Sequence, residues 1–201
     1  MYLKRKFPNA CTGSFVDWEP IDTYIVRAAD VRKVRPASSK DSLEQKDKML
    51  AGEAVQFLTQ QNPHAVFVYF GQVDEVGHRD GFHPSVPSYL QAIQTVDVHI
   101  ASLIGAIQSR PDHVQENWLI IISTDHGGRG RKHRGGHDVP EIVTTFLVVS
   151  GKDSMRGEIE EPSYIVDVPV IALTHLGIPI ESAWQLDGKA VGIRQEFRND
   201  Q

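Results

Sequence analysis

The chain has 201 residues, of which 40% are hydrophobic and 23% charged, a balance typical of one folded globular domain rather than of a disordered chain. The formal net charge of −5 gives no overall positive field, so composition argues against nucleic acid as a partner. Cys11 is the single cysteine, which excludes an internal disulfide framework and a cysteine-rich zinc site.

The N-terminal residues do not resemble an export signal. Residues 2–7 read Tyr-Leu-Lys-Arg-Lys-Phe, and no apolar segment follows these charges. No run of about 18 apolar residues appears anywhere in the sequence. We therefore expect no membrane-spanning segment in this chain.

The first half of the chain predicts alternating strands, loops and a helix. Thr12 to Trp18 is a short β-prone run, and residues 30–41 read as a surface loop rich in Arg, Lys, Ser and Pro. Leu43 to Gln60 predicts a helix that ends before Asn62-Pro63. Ala65 to Phe70 is continuously apolar, as in a strand buried on both faces, and residues 71–84 then read as a polar, glycine-rich loop. The predicted apolar face of the helix is Met49, Leu50, Ala54, Phe57 and Leu58.

The second half continues the same alternation. Residues 88–109 carry apolar side chains at spacings of three and four, the strongest helix pattern in the chain. Trp118 to Ser123 and Thr144 to Ser150 predict two more buried strands, and Asp167 to Leu176 a short final helix. Such an order predicts a single α/β domain over residues 1–201, with a largely parallel sheet and helices on both faces.

Two clusters of potential metal ligands follow two of these strands directly. Asp74 and His78 lie on the segment after the Ala65 strand, and Asp125, His126 and His133 lie after the Trp118 strand. Because ligand sites in such folds gather at the carboxyl ends of strands, we expect both clusters at the same sheet edge. Aspartate and histidine suit zinc, and manganese or iron would also accept them. A lone Asp-x-x-x-His pair is more often structural, but the second cluster favours metal.

The number and chemistry of these donors predict a reaction class. Five donors on two strand ends suggest two divalent ions, an arrangement suited to hydrolysis of a phosphoester. Three glycines in the second cluster permit positive φ and would let the loop fold back towards His133. They are Gly127, Gly128 and Gly130. Five other histidines lack this context and are interpreted as structural or solvated: His64, His83, His99, His113 and His175.

The Asp74-x-x-x-His78 pair, the Asp125-His126-Gly127-Gly128 run and a later His resemble the alkaline phosphatase superfamily, specifically its type I phosphodiesterase/nucleotide pyrophosphatase-like branch. The resemblance implies a three-layer α/β sandwich. It also implies that Asp74, His78 and His133 hold one zinc, while Asp125 and His126 belong to a second metal site. His137 competes for the late position. We favour His133 because its spacing fits the family pattern better, although Arg134 replaces the usual glycine after it.

The family pattern also contains N-terminal features that have no match in this sequence. The family's first strand, an Asp ligand and a Thr or Ser nucleophile have no counterpart here, so we expect an incomplete catalytic domain, lacking its N-terminal part and its nucleophile. Thr12 and Ser14 are poor candidates because they lie in a predicted core strand. The leading hypothesis is a two-metal hydrolase of phosphoesters, and the alternative is a catalytically inactive metal-binding or interaction module of the same fold. Other superfamily activities, such as sulfatase or phosphoglycerate mutase, share the ligands.

The remaining expectations concern partners. A basic stretch of Arg129, Arg131, Lys132 and Arg134 either neutralises a substrate phosphate or is a solvated loop. A small phosphoester is the expected substrate, and the absence of a wide basic face with aromatic residues argues against nucleic acid. The family resemblance alone suggests a periplasmic or extracellular protein. The sequence does not indicate an oligomeric state.

Overall fold

A computed structural model describes residues 2–35, 38 and 40–194. The chain divides into two compact units. The first, which we call the three-stranded unit, comprises Asn9–His113 and Gly128–Lys132, and the second, the two-stranded unit, comprises Met1–Pro8, Val114–Gly127 and His133–Gln201.

The three-stranded unit is built on a parallel sheet with the order β2-β1-β3. Its strands are β1 (Thr12–Val16), β2 (Val31–Val34) and β3 (Ala65–Tyr69). The central strand, β1, pairs in register with both neighbours, Gly13 facing Val31 on one side and Val66 on the other. This central position explains why four of its five residues are buried.

The described part of this unit also contains three α-helices, α2 (Leu43–Gln60), α3 (Gln72–Asp80) and α4 (Pro87–Gln108), and a short π-helix over Ile21–Ile25; the helix α1 (Tyr2–Lys6) belongs to the other unit. The helix α2 begins with a capping box, in which the Ser42 hydroxyl accepts from the Gln45 amide and the Gln45 side chain accepts from the Ser42 amide. It packs against β1 through a core of Phe15, Leu50, Ala54 and Phe57. The Ser88 hydroxyl donates to the Asp80 carboxylate over 2.6 Å, which links the end of α3 to the start of α4.

The two-stranded unit contains an antiparallel pair, β4 (Leu119–Ser123) and β5 (Leu147–Gly151). Its helices are α1 (Tyr2–Lys6), α5 (Pro140–Val143) and α6 (Asp167–His175). Ile171 of α6 packs with Val191 and Ile193 in a buried cluster, against which Leu119, Ile121, Leu147 and Val149 of the strands also pack.

Most predicted elements are present in the structure. The helix over residues 43–60 has the predicted bounds. The bounds of five other elements differ from the prediction by one or two residues: the strands that begin at residues 12, 65 and 119 and the helices at 87–108 and 167–175. The last strand begins at Leu147 rather than Thr144, because the Thr144 amide and hydroxyl both donate to the Pro140 carbonyl and so end α5. The α/β fold class is confirmed. The single-domain prediction remains a prediction.

Two segments predicted as loops are regular elements. Within residues 30–41, Val31–Val34 forms the edge strand β2, whose charged residues find partners: the Arg32 guanidinium donates to Asp22 over 2.7 Å. Pro36, Ala37 and Ser39 of that predicted loop lie outside the described residues. Within residues 71–84, predicted as a polar, glycine-rich loop, Gln72–Asp80 forms the helix α3. A Cβ at Gly77 would lie 2.2 Å from the Phe82 ring, so packing requires the glycine.

The prediction of strands buried on both faces was wrong in degree. All five residues of β4 are half-buried, and Phe67 of β3 and Val148 of β5 are exposed. Met49, assigned to the apolar face of α2, is also exposed. Continuous apolar runs identified the strands but not how deeply each side chain is buried.

Within the described part of the chain, one helix, α4, is long and apolar enough to cross a membrane by length and composition. The sequence contains no uninterrupted apolar run of that length, because polar residues such as Gln91, Thr95 and His99 interrupt it. Helices in a protein core pass the same test, and α4 packs against α2 and α3. The criterion is therefore weak evidence for a span.

Candidate metal ligands

The five predicted ligands are divided between the two units. Asp74 and His78 lie on α3 in the three-stranded unit, and Asp125, His126 and His133 belong to the two-stranded unit. Within each unit the structure brings members of the predicted set together. The full ligand assignment stays a prediction.

Asp74 and His78 face each other on one side of α3. They are separated by four residues, one helical turn, and the His78 Nε2 lies 3.6 Å from the Asp74 Oδ2. The His78 Nδ1 lies 2.9 Å from the Arg131 carbonyl oxygen. A carbonyl can only accept, so Nδ1 carries the proton, and in the neutral ring the lone pair is on Nε2, beside the carboxylate.

The His78 ring is braced by Phe82. The two rings meet edge to face with centroids 5.3 Å apart, and the Phe82 amide donates to the Gly130 carbonyl over 2.7 Å. A Cβ at Gly128 would lie 2.3 Å from the Phe82 ring. The phenylalanine thus packs against both α3 and the turn that provides the Arg131 carbonyl, and it fixes the orientation of His78.

Asp125, His126 and His133 form the second group. The His126 Nε2 lies 3.9 Å from the Asp125 Oδ2, and the rings of His126 and His133 have centroids 4.1 Å apart. The His126 Nδ1 lies 2.8 Å from the Gly127 carbonyl oxygen. By the same argument as for His78, Nδ1 donates and the neutral ring has its lone pair on Nε2.

The glycines of this segment serve different purposes from the one predicted. Gly130 does adopt positive φ, at 61°, but Gly127 and Gly128 do not. They are needed for space: a Cβ at Gly127 would lie 2.2 Å from the Glu141 carbonyl oxygen. The Gly127 amide also donates to the Ile142 carbonyl over 2.8 Å. These close approaches fix the Gly127 carbonyl that orients His126.

The other histidines show different hydrogen bonds. The Nδ1 atoms of His64 and His83 accept from the backbone amides of Cys11 and Ser85, which is the opposite proton arrangement. Both nitrogens of His175 are 2.9 Å from acceptors, the Asp153 carboxylate and the Asn117 carbonyl. This bonding is consistent with the structural interpretation of these three residues.

His137, the competitor of His133, lies in a single 3-10 turn over Gly136–Asp138 and is exposed. His133 is half-buried and in ring contact with His126. Of these two histidines, His133 is therefore the one in contact with a predicted ligand.

The basic stretch has a defined backbone. Arg129 and Lys132 are joined by reciprocal backbone hydrogen bonds of 2.9 and 3.2 Å, and their side chains are exposed. The turn positions the Arg131 carbonyl on His78, whereas the exposed side chains fit either of the two interpretations of the stretch, phosphate neutralisation or solvation.

Neither hydroxyl weighed as a nucleophile is poised for attack. The Thr12 hydroxyl donates to the Asp30 carboxylate over 2.7 Å. Ser14 is fully buried in β1. The Thr12 hydroxyl is therefore engaged by Asp30, and the Ser14 hydroxyl is shielded from solvent.

A buried pair of carboxyl groups was missed by sequence reasoning. Asp17 follows β1 directly, the same signal that identified Asp74 and Asp125, and Asp47 lies on α2; the two side chains are 7% and 0% exposed. They hydrogen-bond to each other. Burial raises the pKa of Asp17, and burial together with the neighbouring Asp17 charge raises the pKa of Asp47 to about 8. With a pKa of about 8, Asp47 keeps its proton at neutral pH.

The comparisons with known proteins agree with the motif reading. The model of the family "Type I phosphodiesterase / nucleotide pyrophosphatase" matches residues 7–155. No curated protein matches the chain significantly. Among solved structures, the one titled "Crystal structure of Ps i-CgsB" is similar, with a TM-score of 0.67 and 14% sequence identity. The similarity covers 94% of this chain and 55% of that one, so this chain spans about half the length of the solved protein. At this identity the likeness concerns the fold.

The chain belongs to the type I phosphodiesterase/nucleotide pyrophosphatase family and has the fold of the alkaline phosphatase superfamily.

Proposed function

We propose that this chain binds divalent metal ions, zinc before manganese or iron, as part of a two-metal hydrolase of phosphoesters. In this assignment Asp74, His78 and His133 hold one ion, and Asp125 and His126 contribute to the second. Membership of a phosphodiesterase family supports the phosphoester part. The substrate would be a small phosphodiester or nucleotide pyrophosphate, and the cellular site the periplasm or the extracellular space.

The observation that carries the proposal is the shared orientation of His78 and His126. In each, Nδ1 donates to a backbone carbonyl, of Arg131 and Gly127 respectively, and Nε2 lies within 4 Å of a carboxylate. Metal-binding histidines commonly donate their second nitrogen to a carbonyl or carboxylate in this way, which fixes the tautomer and the ring.

The donor chemistry fits a zinc-type ion. Imidazole nitrogen and carboxylate oxygen both bind zinc in tetrahedral sites, and the imidazole content makes calcium or magnesium poor candidates. Asp74 and His78 are 38% and 41% exposed in their side chains, so solutes can reach them. When bound, two such ions activate a nucleophile and stabilise charge on a phosphoryl group.

The residues of this chain would then bind and orient rather than attack. The α3 helix presents Asp74 and His78 one turn apart, and the Arg131 carbonyl holds the proton of His78 away from the ligand nitrogen. The exposed Arg129 and Arg131 side chains would face phosphate charge as bidentate donors. No residue of the chain is assigned the role of nucleophile.

Metal content of the purified 201-residue chain tests the proposal. We expect close to one tightly bound zinc ion per chain by mass spectrometry of metals, lost in both Asp74→Ala and His133→Ala. His137→Ala is the matched control, since it removes the rival histidine and should retain zinc. A folded wild-type chain without zinc, or loss only in the His137 variant, would contradict the ligand assignment.

A metal-binding module without catalysis is the second candidate. It is favoured by the states of Thr12 and Ser14, whose hydroxyls are bonded to Asp30 or buried. The zinc-loaded chain should be assayed with bis(p-nitrophenyl) phosphate. Turnover above that of the Asp74→Ala variant would show that this chain hydrolyses phosphoesters by itself, whereas zinc binding without turnover would show that this chain by itself acts as a metal-binding module.

A further inference from the structure

We propose that Asp17 and Asp47 are positioning residues for the metal pair on α3: together they fix where this helix begins and hence where Asp74 and His78 point. The inference rests on the proposed metal function. It assigns a role to a buried carboxyl pair that neither binds a proposed metal nor touches a substrate.

The helix α3 has no cap of its own. Gly71 is its N-cap residue and has no side chain that could accept from the first amides. The first four amides of a helix have no partner within the helix, so groups from elsewhere must accept from them. In this unit, the acceptors come from the end of β1 and from α2.

The two carboxyl groups supply that cap. The Gly71 amide donates to the Asp17 Oδ2 over 3.0 Å and makes a longer contact of 3.4 Å with the Asp47 Oδ1. The Gln72 amide donates to the Asp47 Oδ2 over 3.1 Å. A Cβ at Gly71 would lie 2.4 Å from the Asp17 Oδ2, so the close approach of backbone and carboxylate requires glycine at this position.

The charge of the pair suits its place. Two adjacent buried carboxylates would repel each other, and the hydrogen bond between them needs one proton. One proton leaves one negative charge, which is the charge favoured at the positive end of a helix. Lys46, also buried, lies near enough to lower the pKa of Asp17.

The start of α3 matters because the helix is short. It has nine residues, a length at which an isolated helix is only marginally stable, so its cap decides its register. Asp74 is the third helical residue, two positions after Gln72. A shift of the helix start by one residue would turn Asp74 and His78 about 100° around the axis. The buried cap therefore couples the core of the unit to the exposed ligand pair.

Cobalt(II) binding to the full chain, followed by visible absorption at neutral pH, tests this inference with three variants. Asp47→Ala removes the acceptor of the Gln72 amide and the longer contact of the Gly71 amide, whereas Asp47→Asn keeps an acceptor for the Gln72 amide and a donor for Asp17. Asp22→Ala is the matched control, because Asp22 is a buried carboxylate of the same unit that pairs with Arg32 instead. Amide hydrogen exchange of the metal-free chains at Gly71 and Gln72 provides a readout that does not depend on metal.

We expect Asp47→Ala to weaken cobalt binding about 10-fold or more, the usual effect of removing a group that orients a ligand. Its Gly71 and Gln72 amides should exchange faster. Asp47→Asn should restore both properties, and Asp22→Ala should lower stability without changing affinity. Wild-type affinity in folded Asp47→Ala, equal weakening in Asp22→Ala, or no rescue by Asp47→Asn would each overturn the inference.

Failure of the metal proposal gives a different pattern. If the wild-type chain binds no cobalt, the proposed metal function fails. Exchange then decides the cap alone: faster exchange at Gly71 and Gln72 in Asp47→Ala but not in Asp47→Asn supports it, and unchanged exchange refutes it.

Discussion

Replacing Asp47 by asparagine should stabilise this protein, and increasingly so as the pH rises. Asp47 is fully buried, and its pKa is raised from 3.8 to about 8 by burial and by the charge of Asp17. Between these values the folded chain holds a proton that the unfolded chain releases. Because the folded pKa is the higher one, the contribution of the Asp47 proton to stability is fully present below about pH 4. This contribution is lost as the pH rises towards 8.

The size of the effect follows from proton linkage. One extra proton bound by the folded state lowers the free energy of unfolding by about 1.4 kcal/mol for each pH unit. An asparagine at position 47 does not titrate, yet its carbonyl can accept from Gln72 and its amide can donate to Asp17. The advantage of Asp47→Asn over the wild type should therefore grow by about 3 kcal/mol from pH 5 to pH 7, and level off above pH 8.

Urea unfolding of both chains at half-unit pH steps from 4 to 9 measures this difference directly. Asp97→Asn, which changes an exposed carboxylate on α4, serves as the control and should run parallel to the wild type. A difference between wild type and Asp47→Asn that stays constant over this range would refute the shared-proton description. A difference that falls with rising pH would mean that Asp47 is an ionised acceptor.

Other substitutions test particular contacts. Gly127→Ala should destabilise the fold by about 1–3 kcal/mol in urea unfolding, because the new Cβ would lie 2.2 Å from a carbonyl oxygen. Gly105→Ala, where the added Cβ meets nothing within 4 Å, should instead stabilise by about 0.5–1 kcal/mol, and a loss there would contradict the packing of α4. Arg110→Met should lower the melting temperature, at a cost of about 2–3 kcal/mol, since its buried guanidinium donates to the carbonyls of Leu58 and Gln61 at the end of α2. Unchanged melting would mean that these carbonyls find other donors.

The sequence predicted the elements that depend on apolar periodicity. The helix over residues 43–60 and the strand at 65–69 were both predicted from the spacing of apolar residues and from the residues that end each element. The strand β2 could not be found in this way, because it lies at a sheet edge and carries Arg32 and Lys33, which pair with Asp22 and Glu53, residues distant in sequence. Its existence depends on pairing with β1, which no local pattern records.

The same division applies to the candidate site. Motif spacing selected Asp74, His78, Asp125 and His126, because aspartate and histidine directly after strands are a local signal. The buried carboxyl pair of Asp17 and Asp47 was missed, although Asp17 follows a strand too. Asp47 lies on the buried side of α2, where the apolar residues alone gave the helix its recognisable sequence pattern. Only the tertiary structure brings Asp47 beside Asp17 and the start of α3.

The glycine-rich run after β4 is best understood through its carbonyl groups rather than its flexibility. Two residues of this run direct a ring proton: the Gly127 carbonyl accepts from His126 and the Arg131 carbonyl accepts from His78. Each carbonyl is fixed by its surroundings, the first by the approach of Gly127 to Glu141 and the second by the Arg129–Lys132 turn. A flexible loop could not hold two imidazole tautomers, so side chains larger than hydrogen at 127 or 128 should disturb histidine orientation before they disturb the strands.

Measuring the Nδ1 and Nε2 chemical shifts of both histidines in Gly127→Ala and in Gly128→Ala would decide this. The first variant should alter His126 and the second His78, and unchanged shifts in both would show that the carbonyls do not set the tautomers.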